Sequence, residues 1–330
     1  MTTLANLDTI TDNIFSHIDG IMGEIRTVDA KLNNMYASNA LASYDSEISR
    51  DVPGSDAKRI HFVPPVGGLN PYKGGVWFKS FATVEKVRVG ENGSTQAPPK
   101  FGNNVGGALI GADFPSVNFA GGHLNTGIFG GYAGSHQYFP KVGIYQNQGA
   151  GGAYANWIKG NAYISSVANA SGIHYSASTN RGKDNFGGFN TGVSLKTGYA
   201  VQLPKDIIIE PSGMISYQYL NPEDFTNSDG LYVKQDAIHS LRLQPGVKLA
   251  KNFGSVQPYL TAQMNFYPIS DANVTVSVEP LPTMSVKPYV EYGVGVSKFV
   301  TKRWGGFLEA TYKNGGRTGG TIKGGLTFSF

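Results

Sequence analysis

Two periods of apolar and polar positions divide the chain. From Leu4 to Met35, the residues Leu7, Ile14, Ile21, Val28 and Met35 recur at every seventh position. Leu4, Ile18, Ile25 and Leu32 fit a second sevenfold series, with Thr11 as its polar break. Together they fill the a and d positions of a heptad, which predicts a helix over 4–35, although Gly20 and Gly23 each weaken it by about 1 kcal/mol relative to alanine. The stretch 33–50 is rich in small residues, including Ala37, Ser38, Ala40, Ala42 and Ser43, and is read as a slim helix continuing the first. Residues 1–50 are thus one helical segment. Pro53, Gly54, Pro64, Pro65, Gly67, Gly68 and Pro71 then break the pattern, so 51–74 reads as a connector.

After Gly75 the period becomes two and holds to the last residue. Ile322, Leu326, Phe328 and Phe330 lie on one face of the final segment, and Thr321, Lys323, Thr327 and Ser329 on the other. The same division recurs in Ile209, Ile215 and Tyr217 against Glu210, Ser212 and Ser216, and in Leu241, Leu243 and Leu249 against Arg242, Gln244 and Lys248. Twelve such strands are expected, near 75–89, 103–114, 121–134, 149–157, 161–176, 186–200, 206–220, 232–249, 255–267, 285–299, 303–313 and 319–330. Connections expected to be long (Asn92–Lys100, Phe139–Gln148, Ala177–Asn185, Pro222–Leu231, Pro268–Thr283 and Asn314–Thr318) alternate with short ones. An even number of long antiparallel strands with such loops is the pattern of a transmembrane barrel, since soluble strands are about half as long. The fold expected for 75–330 is therefore an all-β, 12-stranded antiparallel β-barrel in an outer membrane, with an N-terminal α-helix that threads or precedes the pore. Trp77, Tyr132, Trp157, Tyr199, Tyr219, Phe266, Trp304, Tyr312 and Phe330 fall near strand ends, where aromatic girdles meet the membrane interfaces.

Composition agrees with this reading. The chain holds 44 glycines and 36 Tyr and Phe among 330 residues, with 15% charged residues. Mean hydropathy is −0.19, as expected where apolar and polar residues alternate, and no run of apolar residues is long enough for a transmembrane helix. The net charge of +4 comes from scattered residues, which gives nucleic-acid binding no support. There are no cysteines, so thiolate metal sites and disulfides are excluded. Met1–Asp8 lacks the basic and apolar regions of a signal peptide.

The segments Gly74–Phe81, Gly107–Phe114, Thr126–Ala133, Ile209–Tyr217 and Gly324–Phe330, in this order and spacing, resemble the translocator domain of a monomeric autotransporter, the type V secretion family. The resemblance covers about residues 74–330. It implies a barrel in the cell outer membrane of a Gram-negative bacterium, embedded in outer-membrane lipid, that carries its own upstream passenger to the cell surface. It also implies that Phe330, Phe328 and Leu326 form the signal read by the barrel-assembly machinery. Lys196, Glu210, Arg242, Lys248, Lys287, Glu291, Glu309 and Lys313 are expected to line the pore.

The heptad departs from that family pattern. Its Ile-rich seam wants a partner helix, and a twelve-strand lumen holds about one helix. The preferred expectation places the heptad outside the barrel as the end of a passenger stalk, with 33–50 in the bore and the barrel a monomer; coiled-coil self-association through 4–35 belongs to the other arrangement. The alternative is a porin or adhesin barrel with a periplasmic coiled-coil stalk.

Little in the sequence points to catalysis. No Gly-x-Ser-x-Gly, His-Glu-x-x-His or phosphate-loop motif occurs, and the six histidines lack metal-ligand spacing. Neither enzymatic activity, metal nor cofactor is expected. Asn33-Asn34 is a weak candidate for self-cleavage by asparagine cyclisation, which the resemblance suggests; a solvent-facing pair is the plainer reading.

Overall fold

The computed structural model describes residues 3–4, 6–23, 26, 73–92, 100–139, 143–179, 181–253, 256–281, 283–299 and 303–330. The small-residue stretch 33–50, the connector up to residue 72 and Asn33-Asn34 lie outside the described residues.

Twelve strands form a closed antiparallel meander: β1 Gly75–Asn92, β2 Lys100–Asp113, β3 Gly122–Tyr138, β4 Gly143–Lys159, β5 Ala162–Ser178, β6 Lys183–Tyr199, β7 Ile207–Pro222, β8 Ile238–Lys251, β9 Val256–Ile269, β10 Tyr289–Phe299, β11 Trp304–Gly315 and β12 Arg317–Ser329. Each pairs with the next. The sheet closes where β12 pairs with β1, from Gly75↔Ser329 to Val87↔Arg317. Closure leaves no sheet edge among these strands, the condition for a β structure in lipid. Outward positions are apolar and uncovered, as in Val84 (63%), Ile110 (62%), Leu308 (58%) and Ile322 (61%).

The expected strands and the observed ones differ mainly at the end of the barrel where β1 finishes. Tyr232–Gln235 leaves the barrel wall and joins Phe225–Thr226, Val274–Val276 and Glu279–Pro280 in a separate four-stranded sheet, so β8 begins only at Ile238. Thr283–Val286 pairs with the end of β1 (Val89↔Val286) and is not part of β10. Asn314–Thr318 and Ala177–Asn185, expected as long loops, are short: β11 and β12 are joined through Gly316, after Gly315 at φ +121°, and β5 ends at Ser178 with β6 starting at Lys183, while β4 starts at Gly143, inside the expected Phe139–Gln148 loop. The remaining long connections, 223–237 and 270–288, mark this as the loop end, and Gly75 and Phe330 lie at the other.

The helix occupies residues 6–23, with Thr3, Leu4 and Arg26 also helical, and it runs inside the barrel. This corrects the expectation that the heptad lies outside. The seam finds its partner in the barrel wall: Ile14, Ile18, Ile21 and Met22 are at most 3% exposed and pack with Trp77, Phe81, Leu109, Tyr154 and Tyr163 of β1, β2, β4 and β5. Trp77 is corrected with it. At 2% exposure it faces the lumen and not an interfacial girdle, whereas Tyr132, Tyr199, Trp304, Tyr312 and Phe330 face outward.

Candidate functional site

The lumen is the candidate site, and two unlike half-walls build it. On β1–β5 the inward face carries the apolar and aromatic side chains that seat the helix, with polar ones such as Lys79, Asp113, Ser135 and Gln146 among them. Rings lie across glycines of the neighbouring strand: a Cβ on Gly152 would stand 2.7 Å from Phe129 Cζ, and one on Gly107 would stand 2.5 Å from Phe81 Cζ. Such flat rings leave a smooth seat for the helix. Leu4 and Leu7 extend that seat toward the loop end, against Ile173, Tyr175, Leu220, Ile238 and Ala272.

The opposite face of the helix is acidic. Asp8, Asp12 and Asp19 are spaced four and seven apart and so share one face. Arg242 of β8 reaches Asp12 with two guanidinium nitrogens, at 2.7 and 3.1 Å, and its Nε lies 3.4 Å from Asp8. Tyr267 donates to Asp8 at 2.6 Å. Lys196 of β6 holds both Asp19 oxygens, at 2.9 and 2.8 Å. At the helix end nearest Gly75, Arg26 pairs with Glu210 at 2.8 Å.

The apolar seat is itself pinned by polar contacts. Nε2 of His17 lies 3.0 and 3.1 Å from the Asp113 oxygens, Tyr154 donates to the same carboxylate, and Trp77 donates to the Tyr154 hydroxyl at 2.9 Å. The Trp77 and His17 rings are 4.4 Å apart. Lys79 donates to the main-chain carbonyl of Asn13 at 2.9 Å, a contact with helix backbone and not with a side chain. Near the loop end, Asn6 donates to Ser135 at 2.8 Å and Thr3 to Gln146 at 3.2 Å.

Between the acidic face and β7–β12 lies a cavity of about 150 Å³. Ser16, Gly20 and Gly23 form its helix side, with Lys248, Tyr259, Gln263 and Glu309 across from them. A Cβ on Gly20 or Gly23 would meet no atom within 4 Å, so the small residues keep this space open.

Of the residues expected to line the pore, Lys196, Glu210, Arg242, Lys248, Glu291, Glu309 and Lys313 stand on the inner wall. Lys248 places its Nζ 4.6 Å from the Tyr259 ring centre, and Glu291 accepts from Thr311 and Gln263 at 2.5 and 3.2 Å. Glu309 pairs with Lys323 at 2.9 Å, and Lys313 shares Glu85 with Arg317 at 3.2 and 2.7 Å. Lys287 is a correction: it sits in the connection before β10, not on a barrel strand. The sequence reading missed Asp8, Asp12, Asp19, His17, Lys79 and Asp113. The 8, 12, 19 spacing of the aspartates on one helix face was the available signal. Among the described residues, no group of three or more His, Asp or Glu side chains could hold a metal ion.

A lipid-facing meander whose lumen is filled by one N-terminal helix defines an outer-membrane translocator barrel. The sequence profile of the autotransporter β-domain matches residues 76–311, and the chain belongs to that family. It is thereby an outer-membrane protein of a Gram-negative bacterium with an attached upstream passenger. Three solved structures share the fold. The transport unit of the autotransporter AIDA-I from Escherichia coli has 17% identity and a TM-score of 0.67, covering 80% of this chain and 93% of its own. The β-domain of the Bordetella autotransporter BrkA has 20% identity and a TM-score of 0.62, covering 78% and 100%. The translocator domain of NalP from Neisseria meningitidis has 13% identity and a TM-score of 0.60, covering 92% and 98%. No curated protein matches the chain.

Proposed function

We propose that the barrel carries the chain upstream of it through the outer membrane, and that helix 3–23 is the part of that chain which finally seats in the pore and closes it. One observation carries this reading: Asp12 and Asp8 meet Arg242, whose side chain is 1% exposed, while the opposite face of the same helix is buried in the apolar half-wall. A helix merely passing through would not need both faces matched. The periplasmic-stalk alternative requires this seam outside the lumen, and self-association through 4–35 would require the helix to leave it.

Phe330, Phe328 and Leu326 serve as the assembly signal for the barrel-assembly machinery, a reading supported by their place on the closing strand, where the Phe330 N–H bonds Gly74 O at 3.1 Å. The chain acts as a conduit and not as an enzyme. That reading is supported by the partners of the lumenal acids: each is engaged by a basic or hydrogen-bonding side chain of the wall or helix, as Glu210 is by Arg26, Glu85 by Arg317, Glu309 by Lys323 and Glu291 by Thr311 and Gln263. The test is planar-bilayer conductance. The full chain should conduct little, and Ile14→Asp with Ile18→Asp, which places charges in the apolar seat, should raise conductance. Equal conductance in the two would overturn the plug.

A further inference from the structure

Acids and bases on the inner wall are held in different ways. Each wall carboxylate has a donor on the wall itself: Glu85 has Arg317 and Asn103, Asp113 has Tyr154, Glu210 has Tyr163, Glu291 has Thr311, and Glu309 has Lys323 and Tyr259. Three bases of the inner wall depend instead on the helix, whereas Lys323 binds Glu309 on the wall. Arg242 is paired with Asp8 and Asp12, Lys196 with Asp19, and Lys79 with the carbonyl of Asn13. Lys248 stands beside them over Tyr259. The helix therefore supplies the counter-charge for one side of the lumen. Among the described residues, its removal takes away the three carboxylates of Asp8, Asp12 and Asp19 and one guanidinium, that of Arg26.

We infer that the lumen vacated by its helix is an anion-selective pore, in which small mobile anions take the places of Asp8, Asp12 and Asp19. The inference rests on the proposed reading of the helix as a removable plug. Lysines and arginines lining a constriction favour anions, and low-dielectric walls strengthen their field. Across a lumen about one helix wide, screening over roughly 8 Å at physiological ionic strength leaves that field largely intact. The recognised chemistry is charge alone, and chloride is a sufficient probe.

The experiment measures reversal potential across a planar bilayer in a KCl gradient, using the full chain carrying Ile14→Asp and Ile18→Asp. A second full-length variant, Asp8→Asn with Asp12→Asn, removes helix counter-charge without loading the seam, and stands in if the first does not insert. Openings should favour chloride over potassium severalfold, and adding Lys196→Glu and Lys248→Glu should abolish or reverse the preference. Openings that favour potassium, show no preference, or keep their chloride preference after those wall substitutions would overturn the selectivity while leaving the plug intact. Absence of openings in both variants would overturn the plug and the inference together.

Discussion

Arg242 binds Asp12 through two nitrogens, at 2.7 and 3.1 Å, so one strand residue clamps one helix residue across the lumen. With its side chain 1% exposed, Arg242 is committed to the helix. Removing one partner of a buried ion pair costs more than the pair itself contributes, on the order of 3–5 kcal/mol, because a charge is left buried and unpaired. Arg242→Ala should therefore loosen the helix and expose it to protease added to the solubilised protein. The swap Arg242→Asp with Asp12→Arg should restore part of the protection. Unchanged protease resistance in Arg242→Ala would show that the clamp does not hold the helix.

Gly20 lowers helix propensity and faces open space, where an added Cβ meets nothing within 4 Å. Gly20→Ala should then stabilise the seated helix by about 1 kcal/mol, read as greater resistance of the helix to protease. A loss of resistance would mean that Gly20 is packed and not beside the cavity.

The period-two face was legible because lipid requires an apolar outer surface at every second residue, and β7–β10 and β12 have a polar face to contrast with it. The helix seat was not, although it left a trace. On β1 the inward Trp77 and Phe81 alternate with the outward Val76 and Phe78, so both faces are apolar there and the contrast fades. A strand apolar on both faces in a barrel announces an apolar object in the lumen. The heptad suggested a partner helix, because in water only another helix covers such a seam; here β1–β5 cover it. Tyr232–Gln235 was absorbed into β8 because a short strand in an external sheet alternates like a strand in the wall.

Assembly should depend on the closing strand. Phe330 is 64% exposed outside the barrel, and its N–H bonds Gly74 across the seam. Deleting Phe330 should lower the yield of folded, heat-modifiable protein in the outer membrane while leaving synthesis intact. Normal yield would remove the terminal residue from the assembly signal.

The external sheet carries a pH dependence of its own. The Gln235 N–H and the Tyr232 hydroxyl both donate to Asp224 at 2.7 Å and hold its carboxyl below the usual carboxylate range. Because the folded value lies below the unfolded one, the contribution of Asp224 is present at neutral pH and is lost as pH falls through the folded value. Amide exchange at Gln235 should rise below the ordinary carboxylate range, beyond what intrinsic acid chemistry predicts, and Asp224→Asn should remove that rise. The same acid response in Asp224→Asn would place its origin elsewhere.

The placement of the helix is tested most directly by cysteine protection, which is clean because the chain has no native cysteine. Ile18 is 0% exposed against the barrel wall, whereas Gly20, two residues on, faces the cavity. In full-length barrels reconstituted in bilayers, Gly20→Cys should react with a small water-soluble maleimide while Ile18→Cys stays protected until the barrel is unfolded. Equal, rapid labelling of both positions in the folded barrel would contradict a helix seated in the lumen.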